Sequence, residues 1–272
     1  MATASKRVKS TFRMLDAEKS AQAADELVHV IRDGVICDTE SRGFPTPQNR
    51  SPLEIVVDAT AGFVPLWEPG MTLRWRFQER SMLVFADPEE AKAGIKELLG
   101  EALLAWGPDV APVRFAQDDD LWDFEIVMRR TDNCRPGGGC VLASAFFPDS
   151  GRHELTIYPR MFTQSREEQV ETLIHEIGHM FGLRHFFAAV REAAWPSEIF
   201  GVHQKFSIMN YGQDSKLTPE DRSDLALLYQ QAWSGQLRAV NGTPIRLFRP
   251  FSAALAPPES LVAVGTPARV LS

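Results

Sequence analysis

The chain has 272 residues, enough for one domain with a substantial core or for two small ones. Its apolar fraction of 44% and charged fraction of 24% are those of an ordinary globular protein. Lys and Arg number 29 against 36 Asp and Glu, a net charge of -7 that is too mild and too interspersed to imply a nucleic-acid or membrane partner.

The N-terminus, MATASKRVKSTFRMLD, is basic without an apolar run behind it, so it reads as neither a secretory signal nor an anchor. No later segment approaches the roughly 18–20 continuous apolar residues of a membrane span. Residues 16–33 read as an amphipathic helix with Leu27, Val28 and Ile31 on its apolar face, followed by a turn-rich linker, SRGFPTPQNRSP, at 41–52. LEIVVDA and MTLRWRF are strand-like, the second by strict alternation. Asp87-Pro88-Glu89-Glu90 starts a helix with an N-cap, a proline at the first helical position and acids in the first turn. Its apolar face is Ala91, Ile95, Leu98, Leu99, Ala102 and Trp106.

PVRF, DFEIVMR, CVLASAFF and ELTIYP follow as a run of strands. Cys134 and Cys140 flank RPGGG; they could close a small loop in an oxidising compartment or remain free thiols, and with Cys37 they make no disulfide framework. A second helix begins at the capping box Ser165-Arg166-Glu167-Glu168. A third begins at Thr218-Pro219-Glu220-Asp221 and carries Leu225, Leu228 and Tyr229. Beyond about residue 236 the chain turns Pro- and Ala-rich and reads as a tail that wraps the domain or is partly disordered, not as a domain. The expected division is a flank at 1–69, a catalytic domain at 70–235 and a tail at 236–272.

On the second helix Val170, Leu173, Ile174, Ile177 and Phe181 share one face. At 100° per residue, His175 and His179 point within about 40° of each other and nearly opposite that face. Two imidazoles four residues apart can chelate one metal ion, and Glu176 beside them can reach a water on it. Gly182 can take a positive φ, end the helix and let His185 complete a three-nitrogen shell with one position open, as in catalytic zinc sites. The pattern H-E-x-x-H-x-x-G-x-x-H arises by chance in a chain of this composition with a probability of order 10⁻⁵.

With SIMNYG at 207–212 read as a Met-turn, in which Met209 forms an apolar floor beneath the metal, the chain resembles the metzincin zinc peptidases. Over about residues 70–235 it is most similar to the matrixins, through AWGPDVAPVRFAQ, WDFEIVMR, LTPEDRSDLALLYQ and LASAFFP. That resemblance implies an α+β metzincin fold. It would have a twisted, mostly parallel sheet with an antiparallel edge strand, two long helices, and a small C-terminal subdomain after the third histidine.

It further implies a zinc endopeptidase with one catalytic zinc on His175, His179 and His185. Glu176 is the base acting on the zinc-bound water, and an extended peptide lies antiparallel to the edge strand of Leu142, Ala143, Ser144 and Ala145. By the same resemblance an apolar residue is favoured just after the cleaved bond, in a pocket walled by residues 186–206. The implied partner is a protein or peptide substrate, with a monomer expected and an extracellular setting, although no signal precedes the domain.

Three departures stand out. Ser144 occupies the place of a histidine that in matrixins serves a structural zinc, with His153 as a remnant. Phe186 follows the third histidine where matrixins have Ser, and the calcium-binding loops are hard to find, so calcium stays open. Tyr211 resembles the Met-turn tyrosine of astacins and serralysins, a switching fifth zinc ligand or a donor to the tetrahedral intermediate; a packed aromatic is the alternative. Residues 1–69 stand where matrixins keep an inhibitory pro-segment, which makes Cys37 a candidate latency ligand and the chain a candidate zymogen. A catalytically silent binding module and a zinc hydrolase of a non-peptide amide are the alternative functions.

Overall fold

The computed structural model describes residues 29–32, 35–37, 55–58, 62–135, 139–185, 197–200, 208–209 and 216–255. Of these, only the backbone is described at 29–32, 35–36, 55–58 and 197–200. The strands in chain order are β1 His29–Arg32, β2 Val35–Cys37, β3 Ile55–Asp58, β4 Val64–Trp67, β5 Thr72–Phe77, β6 Arg114–Gln117, β7 Phe124–Met128 and β8 Asn133–Cys134. They continue as β9 Cys140–Val141, β10 Ala143–Ser144, β11 His153–Ile157, β12 Leu183–Arg184, β13 Ser197–Phe200, β14 Ala239–Val240 and β15 Thr243–Phe248. Three long helices, α1 Pro88–Trp106, α2 Arg166–Met180 and α3 Pro219–Trp233, complete the frame.

Each long helix starts where its capping residues dictate. Asp87 accepts from the backbone N–H of Glu90, and Ser165 and Thr218 make capping boxes with Glu168 and Asp221. The expected face of α1, from Ala91 to Trp106, is buried at all six positions. It shares one buried core with a five-stranded sheet in the order β10-β11-β7-β5-β6. Every pair in that sheet is parallel except β10 with β11, where Ala143 faces Ile157 and Ser144 faces Thr156. The mostly parallel sheet with an antiparallel edge and long helices is the fold class expected.

Three aromatic residues hold the end of α2. Trp106 Nε1 donates to the carbonyl of Ile174 at 3.0 Å, Trp67 Nε1 to that of Met180 at 2.7 Å, and the Tyr229 hydroxyl to that of Phe181 at 3.0 Å. The last two satisfy carbonyls that a helix C-terminus leaves without an intrahelical partner. Burial holds the Tyr229 phenol far above its ordinary pKa, so it stays a neutral donor.

One expectation needs correction. Residues 29–32 are a strand, not the end of a helix: β1 pairs antiparallel with β2, Arg32 opposite Val35. Asp33-Gly34 between two β-branched runs is a two-residue hairpin signal, which outweighs a weak helical stripe; residues 16–28 and the linker lie outside the described residues. The segment after 236 contributes strands. Asn241 and Gly242 both have positive φ, at 47° and 89°, and turn β14 back into β15. β15 then adds parallel to β4, and Ser252 donates through N and Oγ to the buried carboxylate of Asp123. Strand pairing thus joins residues 245–248 to residues 64–67.

Candidate metal centre

α2 delivers His175, Glu176 and His179 in its last two turns, where every residue from Thr172 to Met180 is buried. Sequence periodicity sets the histidines opposite the apolar face and facing a cleft. That side too is closed off, with His175 1%, Glu176 1% and His179 0% exposed, and Cys37 at 0% lies against it. Gly182, at φ +88°, ends the helix and turns the chain into β12, which runs directly into His185. A Cβ at Gly182 would stand 2.9 Å from the carbonyl oxygen of Pro65, so close approach of β4 excludes a side chain there as well.

The imidazoles are oriented by backbone carbonyls. His175 Nδ1 lies 2.8 Å from the Ile208 oxygen and His179 Nδ1 lies 2.8 Å from the Leu183 oxygen. A carbonyl only accepts, so both Nδ1 atoms carry the proton and both Nε2 lone pairs turn inward. Inside, His175 Nε2 stands 3.0 Å from His185 Nε2, and Cys37 Sγ stands 3.7 Å from His179 Nε2 and 3.6 Å from Glu176 Oε1. One ligand atom from each of Cys37, His175, His179 and His185 lies within 4.8 Å of the others.

These donors fit a zinc ion. Zn–N distances of about 2.0–2.1 Å and a Zn–S distance of about 2.3 Å in a tetrahedral shell place ligand atoms roughly 3.3–3.6 Å apart, close to what is found. Inward lone pairs on buried nitrogens repel one another unless a cation sits between them. Three imidazoles and a thiolate are a closed zinc shell, whereas three imidazoles alone leave the open position that catalysis uses.

Met209, expected as the floor, is 4% exposed, and its Sδ would meet a Cβ on Gly178 at 2.6 Å. The expected floor residue thus lies under the helix, while its neighbour Ile208 orients His175, a role sequence reading missed. A second residue missed is Phe147, whose ring meets His179 edge-on at 5.5 Å and has the buried Arg184 guanidinium 6.0 Å from its centroid. LASAFF contains Phe147, yet nothing in its spacing marks it as a wall of the metal site.

Of the edge-strand residues, Leu142, Ala143 and Ala145 are buried and Ser144 is half-buried. His153 stacks on Phe146 at 5.4 Å, and its Nδ1 accepts from the backbone N–H of Glu154 at 2.8 Å. Among the described residues one cluster of potential ligands converges, the Cys37 and histidine group. Tyr211 and Phe186 lie outside the described residues. Cys134 and Cys140 are joined as a disulfide, and Cys37 is buried and takes part in no disulfide.

No protein-family model matches the chain. Human stromelysin-3 is 27% identical over 171 residues, which are 59% of this chain and 32% of the relative. The chain thus spans about a third of the length of the curated relative it matches. Among solved structures, myroilysin is similar at a TM-score of 0.41 and 14% identity, covering 64% of this chain and 98% of that one. The high choriolytic enzyme of Oryzias latipes (medaka), a hatching enzyme zinc-protease, is similar at 0.38 and 14%, covering 68% and 98%. In motif, histidine cluster and sequence similarity the chain resembles the metzincin zinc metalloproteases.

Proposed function

We propose that the chain is a zinc-dependent endopeptidase that its own Cys37 holds latent. The observation that carries this reading is the sharing of one centre by three inward Nε2 atoms, a thiol and the Glu176 carboxylate. A zinc ion held by His175, His179 and His185 supplies Lewis acidity, which acidifies water and polarises a carbonyl.

The remaining steps belong to the protein. Glu176 Oε1 takes a proton from the attacking water and passes it to the leaving amine. It can do so only once the Cys37 sulfur has left, because that sulfur occupies the place beside Oε1 where the water must sit. The edge of β10 and its flanking residues 142–147 pairs with an extended substrate running antiparallel, with an apolar residue favoured just after the scissile bond. β2 runs parallel to β9, with Val35 opposite Cys140 and Ile36 opposite Val141. That polarity, the reverse of the substrate's, supports a segment that fills the cleft without being cut.

Similarity to stromelysin-3 supports peptide rather than other amide substrates. The test pairs metal stoichiometry with cleavage of quenched peptides, before and after a thiol reagent and with and without a chelator. One zinc per chain and chelator-sensitive cleavage that rises on thiol modification are expected. Zinc-loaded, thiol-modified protein that cuts no peptide in a diverse library would overturn the reading.

A further inference from the structure

The strand that carries Cys37 lies along a rail with a covalent tie. β2 pairs with β9 on one side, and β8 pairs with β9 on the other, Asn133 opposite Val141 and Cys134 opposite Cys140. The sheet order is β1-β2-β9-β8. Cys140 is thus the pairing partner of Val35, two residues before Cys37, and is also bonded through its sulfur to Cys134.

β8 and β9 have two residues each, and the sequence between them is Arg135, Pro136 and three glycines. Two-residue strands across a glycine-rich connection have too few ladder bonds to hold their own register. A cross-link between directly opposed residues supplies what the ladder lacks, by removing open conformations of the loop.

We propose that the Cys134–Cys140 disulfide is a redox latch on latency. Reduction by a dithiol loosens the β8–β9 hairpin, β2 loses its rail, and Cys37 leaves the three histidines. In that step the Cys134–Cys140 S–S bond breaks and two cysteine thiols form. The dithiol closes to its own disulfide, giving up two electrons and two protons. This deepens the proposed function and rests on Cys37 as the restraining ligand.

The experiment compares the full-length wild-type chain, oxidised and zinc-loaded, with the double variant Cys134→Ser/Cys140→Ser. In each, Cys37 is the one cysteine outside a disulfide, so alkylation read by mass spectrometry reports the same sulfur in both. From the usual strength of a short-loop disulfide, labelling of Cys37 is expected to rise at least about tenfold in the double variant, with peptidase activity rising alongside. In a Cys37→Ser background, removal of the disulfide is expected to leave activity where Cys37→Ser alone puts it. Equal labelling rates in the two proteins overturn the latch.

Should Cys37→Ser fail to activate while the labelling rates still differ, the latency reading fails and the docking role of the disulfide stands. If the serine pair prevents folding, wild-type protein titrated with a dithiol gives the same comparison. Cys37 must then become reactive in step with loss of the disulfide, and reactivity that precedes that loss overturns the proposal.

Discussion

Sγ of Cys37 lies 3.6 Å from Oε1 of Glu176. On the proposed reading, one sulfur both completes a metal shell and covers the carboxylate that would act as base. Cys37→Ser should keep one zinc per chain and raise the rate of peptide cleavage at least about tenfold, since a neutral hydroxyl is a poor zinc ligand beside a thiolate. Steady-state assays with metal analysis check this. Equal rates in the variant and the wild type would show that Cys37 is a buried cysteine and no restraint.

Glu176 is best tested where that restraint is gone. In a Cys37→Ser background, Glu176→Gln keeps the side chain's volume and removes its capacity to hold a proton. The three histidines are untouched, so zinc content should stay at one while kcat falls by about 10²–10⁴, the usual worth of a positioned base. Loss of zinc together with activity would point to a role in building the site instead.

How much of this was legible in the sequence follows from the range of the forces involved. The α2 capping box, the burial of Leu173, Ile174 and Ile177, and the 175/176/179 register are local, set by a few neighbouring residues and a period of 3.6. Gly182 was legible because a positive φ has few substitutes. The carbonyls of Ile208 and Leu183 that orient the rings were not legible, because backbone acceptors carry no sequence signature. The meeting of Cys37 with a site more than 130 positions downstream was readable only as a resemblance, since nothing local ties β2 to β9. The Asn241-Gly242 hairpin and the Asp33-Gly34 connection carried a local signal, which the surrounding Pro- and Ala-rich or helix-like composition obscured.

Gly182→Ala sets two costs on one methyl group. An L-residue at φ +88° is strained by about 1–3 kcal/mol, and the added carbon would press on the Pro65 carbonyl oxygen at 2.9 Å. Relief requires moving the chain that leads to His185, so zinc affinity should fall at least tenfold while the His175 and His179 pair stays in place. Gly100→Ala is the control: it lies within α1 with no atom near its would-be Cβ, and should raise stability by about 0.5–1 kcal/mol. Competition with a chromogenic chelator measures the first effect and denaturant unfolding the second.

Asp149 follows the edge-strand run, and burial pushes its carboxyl above the ordinary value. A folded pKa above the unfolded one means that the fold favours the protonated form. Its stabilising contribution is full below the unfolded value of about 3.9 and is lost as pH rises through the folded pKa. Asp149→Asn should therefore raise Tm near neutral pH, with the gain vanishing as pH drops below that window. A gain that is constant with pH would show that the carboxylate is not the cause.

Met209 lies close against the helix at Gly178, with 2.6 Å between a would-be Cβ and the methionine Sδ. Met209 is 4% exposed, and Trp106 Cζ2 stands 3.4 Å from the same Cβ position, so an added methyl would be crowded from two sides. Gly178→Ala should destabilise the chain by about 1–3 kcal/mol through overpacking. Met209→Ala alone should cost about 2–5 kcal/mol by leaving a cavity. Combined, the new methyl fills part of the space the methionine vacates, so the double variant should be at least about 1 kcal/mol more stable than the sum predicts. Denaturant unfolding of all four proteins with zinc bound closes the cycle. Simple additivity would mean that Met209 does not pack on the helix face at Gly178.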